Sequence, residues 1–514
     1  MIKEQNESEG TWMTTWFASQ TYYDGTFAEE RFEKQTIRMI VHPHACGCKI
    51  RLKFSNLYGS EPAVFCAVNA AISTKGGETM PGTSRPVTLN DQSTFNIPAG
   101  EEVLSDPVDL EINEDVDVAI SIYISEVTRS STWHFSPSHS TYIAEGNHAC
   151  DHSAEFFRKK IHSYYWLSGM EVLIHSEHFR VIVALGDSIT EGSTSTPDAN
   201  QSWPDLFFAR LRRHIPAYPI SVLNAGIVGN QVLRNGLEAR FPIGGESVLS
   251  RLDRDVSSHS GTTDVIFLGG INDIGLGNAT ADQLIDGMRE LVVQLHAKEV
   301  RIYAGTIPPF GGASTYSNEK ELVRQEVNRW IRTNEVFDGI LDFEAALADP
   351  QQPEQLLPAY DFGDHLHPSD AGFQALAECI PISLFIKKTT KLNKKEMCSM
   401  KTIEQKNIET VTAFIENLDN QSILEKTDQF FAAQITEAFT DRQFTVDEIL
   451  AQGEKVVARI FMTGVHAGHF AGNAPTDKTV KVTQFREFHV INGQIAEHRG
   501  WFDTATLLPQ IQAK

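Results

Sequence analysis

Hydrophobic and polar positions change rhythm three times along the 514-residue chain. Up to about residue 178, short β-rich runs such as Thr36-Ile-Arg-Met-Ile-Val41, Lys49-Ile-Arg-Leu-Lys-Phe54 and Val116-Asp-Val-Ala-Ile-Ser-Ile-Tyr-Ile124 are separated by clusters of Gly, Pro, Asn and Ser. Period-two alternation puts one side of each run in a core, and no strong amphipathic helix intervenes, so residues 1–178 are expected to form a β-sandwich. From about 179, continuous apolar runs take over: Phe179–Leu185, Ile220–Leu223, Val265–Leu268, Val300–Ala304 and Gly339–Phe343. Helical segments lie between them, Ala281–Ala297 and Glu319–Asn334 among others. Strands apolar on both faces and separated by helices predict a parallel sheet in the middle of three layers, an α/β domain over 179–386.

Lys387–Lys401 breaks this pattern with six lysines against one glutamate. It reads as a solvated linker over 387–401, with docking to an acidic surface as the alternative. Met397 and Met400 give it the look of a former start site where two reading frames have fused. Beyond it, Ile408, Val411, Phe414, Ile415 and Leu418 mark an amphipathic helix. Strands are expected at 445–450, 455–463, 479–490 and 494–498, the last two joined by the hairpin turn Asn492-Gly493. Residues 402–514 thus read as a small α+β domain with one curved sheet.

Composition narrows the partners. A formal net charge of −23 makes the long-range force on nucleic acid or an anionic membrane repulsive, so neither is an expected partner. No apolar run approaches the roughly 18–20 residues of a membrane span, and the first ten residues lack the apolar centre of a signal peptide. Six cysteines are too few for a disulfide scaffold, and a cytoplasmic location with reduced thiols is expected.

The chemistry gathers where ligands bind in open parallel sheets, just past the carboxyl ends of the strands. Gly186-Asp-Ser-Ile-Thr190 follows the first strand, Asn224-Ala-Gly-Ile-Val-Gly-Asn230 the second and Gly269-Gly-Ile-Asn-Asp273 the third, while Asp361-Phe-Gly-Asp-His-Leu-His-Pro368 closes the domain. A serine on a tight strand-to-helix turn exposes its hydroxyl and aims backbone amides at the same point, which suits Ser188 to nucleophilic attack on an acyl carbon. His367 can take its proton, and Asp364, three residues earlier, can hold the imidazole tautomer. A glycine amide and an asparagine side-chain amide are donors for the oxyanion that forms. On a purely structural reading, Ser188 is a helix N-cap, Gly229 a turn former and Asp364 a surface acid.

These four blocks, in this order, resemble the SGNH or GDSL-type hydrolases over about 179–386. The resemblance implies a flavodoxin-like sheet, Ser188 as nucleophile, Asp364 and His367 as its partners, and an oxyanion hole of the Ser188 amide, Gly229 and Asn272. Gly229 is preferred to Gly226 because it closes the Asn-x-x-x-x-Gly run. The Gly-x-Ser-x-Gly elbow of α/β-hydrolases is absent. The implied activity is serine esterase chemistry through an acyl-enzyme on a small-molecule ester, with a short acyl group such as acetyl on a carbohydrate-like alcohol. It requires no metal and no organic cofactor. Asp187 is expected to cap the helix, and His365 has no assigned role.

Around this domain, Thr36–Val41, Lys49–Gly59 and Tyr164–Gly169 are similar to the β-sandwich that precedes some SGNH domains, with Trp133 and Trp166 as candidate sugar-stacking surfaces or core residues. His42-Pro-His-Ala-Cys-Gly-Cys48 holds four N/S ligands without a second cluster to close a zinc shell. The C-terminal domain resembles the SnoaL-like, polyketide-cyclase-type family through Gly453–Arg459, Gly464–Phe470, Ala474–Lys478 and Ile495–His498 followed by Trp501–Asp503. That implies a cone-shaped α+β barrel, with Asp503 as acid/base and His466 and His498 as cavity partners. Only about 25 residues separate Leu418 from Phe444, fewer than the family usually has, so binding or homodimerisation, rather than catalysis, is the expected role there.

Overall fold

The computed structural model describes residues 10–22, 31–113, 115–176, 178–215, 218–239, 241–385, 403–416, 437–491, 493–502 and 504–512. The chain divides into two units, 1–386 and 387–514.

In the first unit the N-terminal alternation is realised as two antiparallel sheets. One has four strands in the order Thr11–Phe17, Leu167–Ile174, Ile50–Ser55, Glu102–Leu104. The other has six: Phe157–Ile161, Thr141–Glu145, Gln35–Val41, Val118–Ile124, Ala67–Ile72 and Arg85–Pro86. Leu52, Phe54 and Val172 of the first sheet share one buried cluster with Ile37, Ile120 and Ile122 of the second. Trp133 and Trp166 are buried at 7% and 0% exposure, so both are core residues and neither offers a stacking surface.

The parallel sheet comprises β1 (Arg180–Gly186), β2 (Ile220–Gly226), β3 (Thr262–Leu268), β4 (Arg301–Gly305) and β5 (Gly339–Leu341). Its order is 2-1-3-4-5 and every pair is parallel. Both faces are covered, as the unbroken apolar runs require. Val181, Val183 and Leu185 of β1 join the cluster containing Leu284, Met288 and Leu291, whereas Ile182 and Ala184 join the one containing Phe207, Leu211 and Phe373. The helices that carry these residues start at capping side chains. Ser202 caps α2 (Trp203–His214), Thr280 caps α4 (Ala281–His296), Ser317 caps α5 (Asn318–Thr333) and Ser369 caps α6 (Asp370–Cys379). The fifth strand ends earlier than its apolar run because Asp342 accepts the Ala345 amide and starts a short helix, Phe343–Leu347.

One cluster of buried side chains runs through the N-terminal sheets and the parallel sheet: Leu223, Ala225 and Val183 belong to the same cluster as Leu52 and Ile120. Ser221 Oγ on β2 donates to the Thr15 carbonyl.

In the second unit, α7 (Ile403–Glu416) accompanies a four-stranded antiparallel meander of β6 (Phe439–Gln452), β7 (Lys455–His466), β8 (Thr479–Ile491) and β9 (Gln494–Phe502). A final helix, α8, spans Thr504–Gln512. The strands extend beyond the runs expected from sequence because pairing continues past the apolar stretches, from Phe439↔His466 to Gln452↔Lys455. Val411 and Ile415 of α7 pack with Val456, Ile460 and Phe488. Gly493 turns the β8–β9 hairpin at φ 74°. The Lys-rich stretch, Leu418, Asn492 and Asp503 lie outside the described residues. Among those residues no helix is long and apolar enough to cross a membrane.

A core common to its three sheets should make residues 1–386 melt as one. Urea unfolding of that fragment is expected to give coincident transitions by tryptophan fluorescence and far-UV circular dichroism. Two separated transitions would show that the N-terminal sheets fold apart from the parallel sheet.

Candidate active site

Gly186, Gly226 and Leu268 stand level in the register of β1, β2 and β3. The loops that leave these three residues therefore start from one edge of the sheet. The first turns immediately into α1 (Ser188–Glu191). Any Cβ at Gly186 would meet the Leu268 carbonyl and the Thr190 hydroxyl at 2.3 Å, so only glycine lets the chain turn there. Asp187 accepts the Ile189 amide at 3.0 Å and caps the helix, as its position predicts. Ser188 is the first helical residue, so its own N–H has no intrahelical partner.

The Ser188 hydroxyl lies 2.8 Å from His367 Nε2, and His367 Nδ1 lies 2.6 Å from Asp364 Oδ2. The other Asp364 oxygen accepts the backbone amides of Leu366 and His367, at 3.0 and 2.9 Å. Partial burial opposes ionisation of Asp364, but these bonds outweigh it and hold the carboxyl below its ordinary range. Asp361 repeats the arrangement one step earlier: it accepts the Gly363 and His365 amides and holds His365 Nδ1 at 2.6 Å. That bond turns His365 away from Ser188 and stiffens the loop. Thr194 Oγ1 donates to the Pro368 carbonyl, and Thr196 bonds Asp370, tying the histidine loop to the segment after α1.

On the other side lie Gly229 and Asn272. Gly229 has φ 72°, and a Cβ there would meet the Phe241 ring at 2.1 Å, so the position demands glycine twice over. Gly226 serves a different purpose: it lets β2 approach α1, where a Cβ would meet the Glu191 amide at 2.3 Å. Asn272, in α3 (Ile271–Gly275), gives one side-chain N–H to the Asn230 carbonyl at 3.2 Å and keeps a second to donate. Asp273 beside it accepts the Val232 and Leu233 amides, and burial pushes its carboxyl up to about 6.

Sequence reasoning missed the group that holds these loops. Arg251 is fully buried. Its guanidinium donates to the Gly186 carbonyl (3.0 Å), the Ala225 carbonyl (2.9 Å), Asn230 Oδ1 (3.0 Å), Ser19 Oγ (3.0 Å) and Asp255 (2.9 Å). The only sequence signal was the Arg251/Asp255 spacing of a helical ion pair, which says nothing of burial. Helix α1 is also held from the N-terminal region by a buried pair, His134 Nε2 to Glu191 Oε1 at 2.8 Å, and by Ser138 Oγ on the Glu191 carbonyl.

The His42–Cys48 cluster does not converge. His42 bonds Asp117 and His44 bonds Asp205, both histidines lining one cavity, whereas Cys46 and Cys48 are exposed. Among the described residues no three His, Cys, Asp or Glu side chains are grouped to hold a metal ion. In the second unit, His466 ends β7 beside Phe439 and Phe470, while His498 lies across β8 from Val456, near the opposite end of that strand. The resemblance implies that they share a cavity; the structure sets them against separate clusters, His466 beside Phe439 and His498 beside Phe414 and Phe488.

Comparison with known proteins agrees with this division. Residues 184–375 match the GDSL-like lipase/acylhydrolase family and residues 420–511 the SnoaL-like polyketide cyclase family. No curated protein matches the chain. Among solved structures, TesA is 20% identical over 39% of this chain and 95% of its own, with a TM-score of 0.30. TsrD from Streptomyces laurentii is 22% identical over 21% of this chain and 95% of its own, with a TM-score of 0.18. The chain therefore joins a GDSL-type acylhydrolase domain, which is a hydrolase of ester type, to a SnoaL-like domain, with a strand-rich region in front.

Two substitutions probe the site. Burial pushes the Asp187 carboxyl up to about 7, the Ile189 amide only partly offsetting it. A carboxyl whose folded pKa exceeds its unfolded one binds more protons folded, so its contribution falls as pH rises from about 4 to 7. Asn can accept the same amide without a charge, so Asp187→Asn should match wild type near pH 4 and exceed it by up to about 4 kcal/mol at pH 8. Chemical denaturation across that range checks both ends. Arg251→Met should lower turnover of p-nitrophenyl acetate by about 10²-fold, since misplacing the loops by about an ångström is enough. Unchanged far-UV circular dichroism would show that positioning, not folding, was lost.

Proposed function

We propose that the protein is a serine esterase. Ser188 Oγ attacks the carbonyl carbon of a small-molecule ester as its proton passes to His367 Nε2, and Asp364 keeps the imidazole in the right tautomer and steadies its charge. The oxyanion is received by the Ser188 and Gly229 amides and the second Nδ2–H of Asn272, each such donor lowering the barrier by about 3 kcal/mol. The protonated imidazole gives its proton to the departing alcohol. Water activated by the same nitrogen then releases the acid and restores Ser188. The single observation that carries this reading is the unbroken line from Ser188 Oγ through both His367 nitrogens to Asp364, at 2.8 and 2.6 Å.

The same reading takes the two N-terminal sheets as a β-sandwich over 1–178, the parallel sheet as the middle of a three-layer hydrolase over 179–386, and residues 402–514 as a cone-shaped barrel. For the substrate we infer a short acyl group, acetyl in the simplest case, on a carbohydrate-like alcohol. No step requires a metal or an organic cofactor.

A fluorophosphonate probe tests the nucleophile without a choice of substrate. One adduct by intact mass on wild type, absent from Ser188→Ala, is the expected result. Folded wild-type protein that takes no adduct would refute the esterase reading.

A further inference from the structure

In the second unit the Arg486 guanidinium meets no carboxylate among the described residues. Along β8, burial alternates: Gln484 is 1% exposed and Phe488 and Val490 are buried, whereas Phe485, between them, is 46% exposed. Arg486 falls on the inward side with Gln484 and Phe488. Pairing sets His498 of β9 opposite Phe488 and Gly500 opposite Arg486, where the absence of a side chain leaves the guanidinium stem room. The ring of Phe414 on α7 stands 5.4 Å from His498 and 5.9 Å from Phe488.

The polar groups on this face are short of partners. Arg486 Nε and Nη2 both donate to one atom, Gln484 Oε1, at 3.2 Å, and among the described residues no carboxylate pairs with the guanidinium. Gln484 Nε2 and His498 Nδ1 are buried and find no partner among the described residues. Burial pushes the Arg486 pKa down to about 10, and burial together with the Arg486 charge pushes His498 down to about 4. Arg486 is half-buried, and a cation held beside two buried polar atoms that find no partner among the described residues is costly alone and favoured when an anion completes it.

We propose that this face binds the carboxylate of a small organic acid. Arg486 supplies the charge and a planar fork for two carboxylate oxygens, Gln484 Nε2 and His498 Nδ1–H supply further donors, and Phe414 and Phe488 flank the acid's apolar body. One guanidinium matches one negative charge, and the aromatic flank favours an organic body, so a carboxylate fits better than inorganic phosphate. The inference is independent of the hydrolase reading.

The test is calorimetric titration of the full chain with benzoate, its neutral isostere benzamide, and inorganic phosphate. Saturable binding of benzoate is expected, with benzamide and phosphate weaker by at least about tenfold. Arg486→Met should weaken benzoate by at least about tenfold and, by removing a half-buried charge, raise the unfolding midpoint of the ligand-free protein. Gln484→Leu, which leaves the charge in place, should weaken benzoate several-fold and guards against a misfolded Met variant. The proposal is overturned by no saturable benzoate binding to wild type below about 10 mM, or by phosphate binding as tightly as benzoate. It is equally overturned by benzoate binding that survives Arg486→Met, which would place the acid elsewhere in the chain, or by an Arg486→Met protein less stable than wild type.

Discussion

Everything at the edge of the parallel sheet hangs on one buried guanidinium. A strand end in a doubly covered sheet leaves carbonyls that the ladder no longer satisfies and water cannot reach. Arg251 meets two of them, Gly186 O and Ala225 O, and with the same planar group grips the side chain of Asn230, the neighbour of Gly229. Such a cation would not be tolerated alone in the core. Asp255 neutralises it and is itself held, well below the ordinary carboxyl range despite its burial, by Arg254 as well as Arg251. The turn that carries Ser188 and the loop that carries Gly229 and Asn230 are thus fixed relative to each other by one side chain.

The legible part of this molecule was the part written in periodicity and in glycine. Five unbroken apolar runs gave five parallel strands, because a strand buried on both faces has no polar alternative. Gly226 and Gly229 were visible as glycines, but only the structure separates their reasons, close packing against α1 for one and a left-handed backbone for the other. The Asp-x-x-His spacing was readable because both residues lie in one tight turn. Arg251, His134 and Glu191 were not readable: sequence marks them as charged surface residues, and their burial follows from contacts between segments up to 232 residues apart. The two tryptophans went the same way, into the core. His466 and His498, which the resemblance set in one cavity, lie in separate clusters, because a motif match places residues on a sheet and not at one position along it.

Buried charge in the first unit is met in two ways. Arg251 faces Asp255 and Arg324 faces Glu321, whereas Arg38, as deeply buried, is held by Ser121 Oγ and the carbonyls of Gly77, His148 and Asp151. In the second unit Arg486 gives two N–H groups to the Gln484 side chain, and among the described residues no carboxylate pairs with it.

The His134–Glu191 pair and the Ser19 contact to Arg251 mean that side chains encoded before residue 178 steady a turn encoded after it. A recombination breakpoint at 178/179 would hand the parallel sheet a foreign partner without those two groups. In lineages that shuffle this protein, the strand-rich region and the parallel-sheet region should therefore travel as a single heritable module.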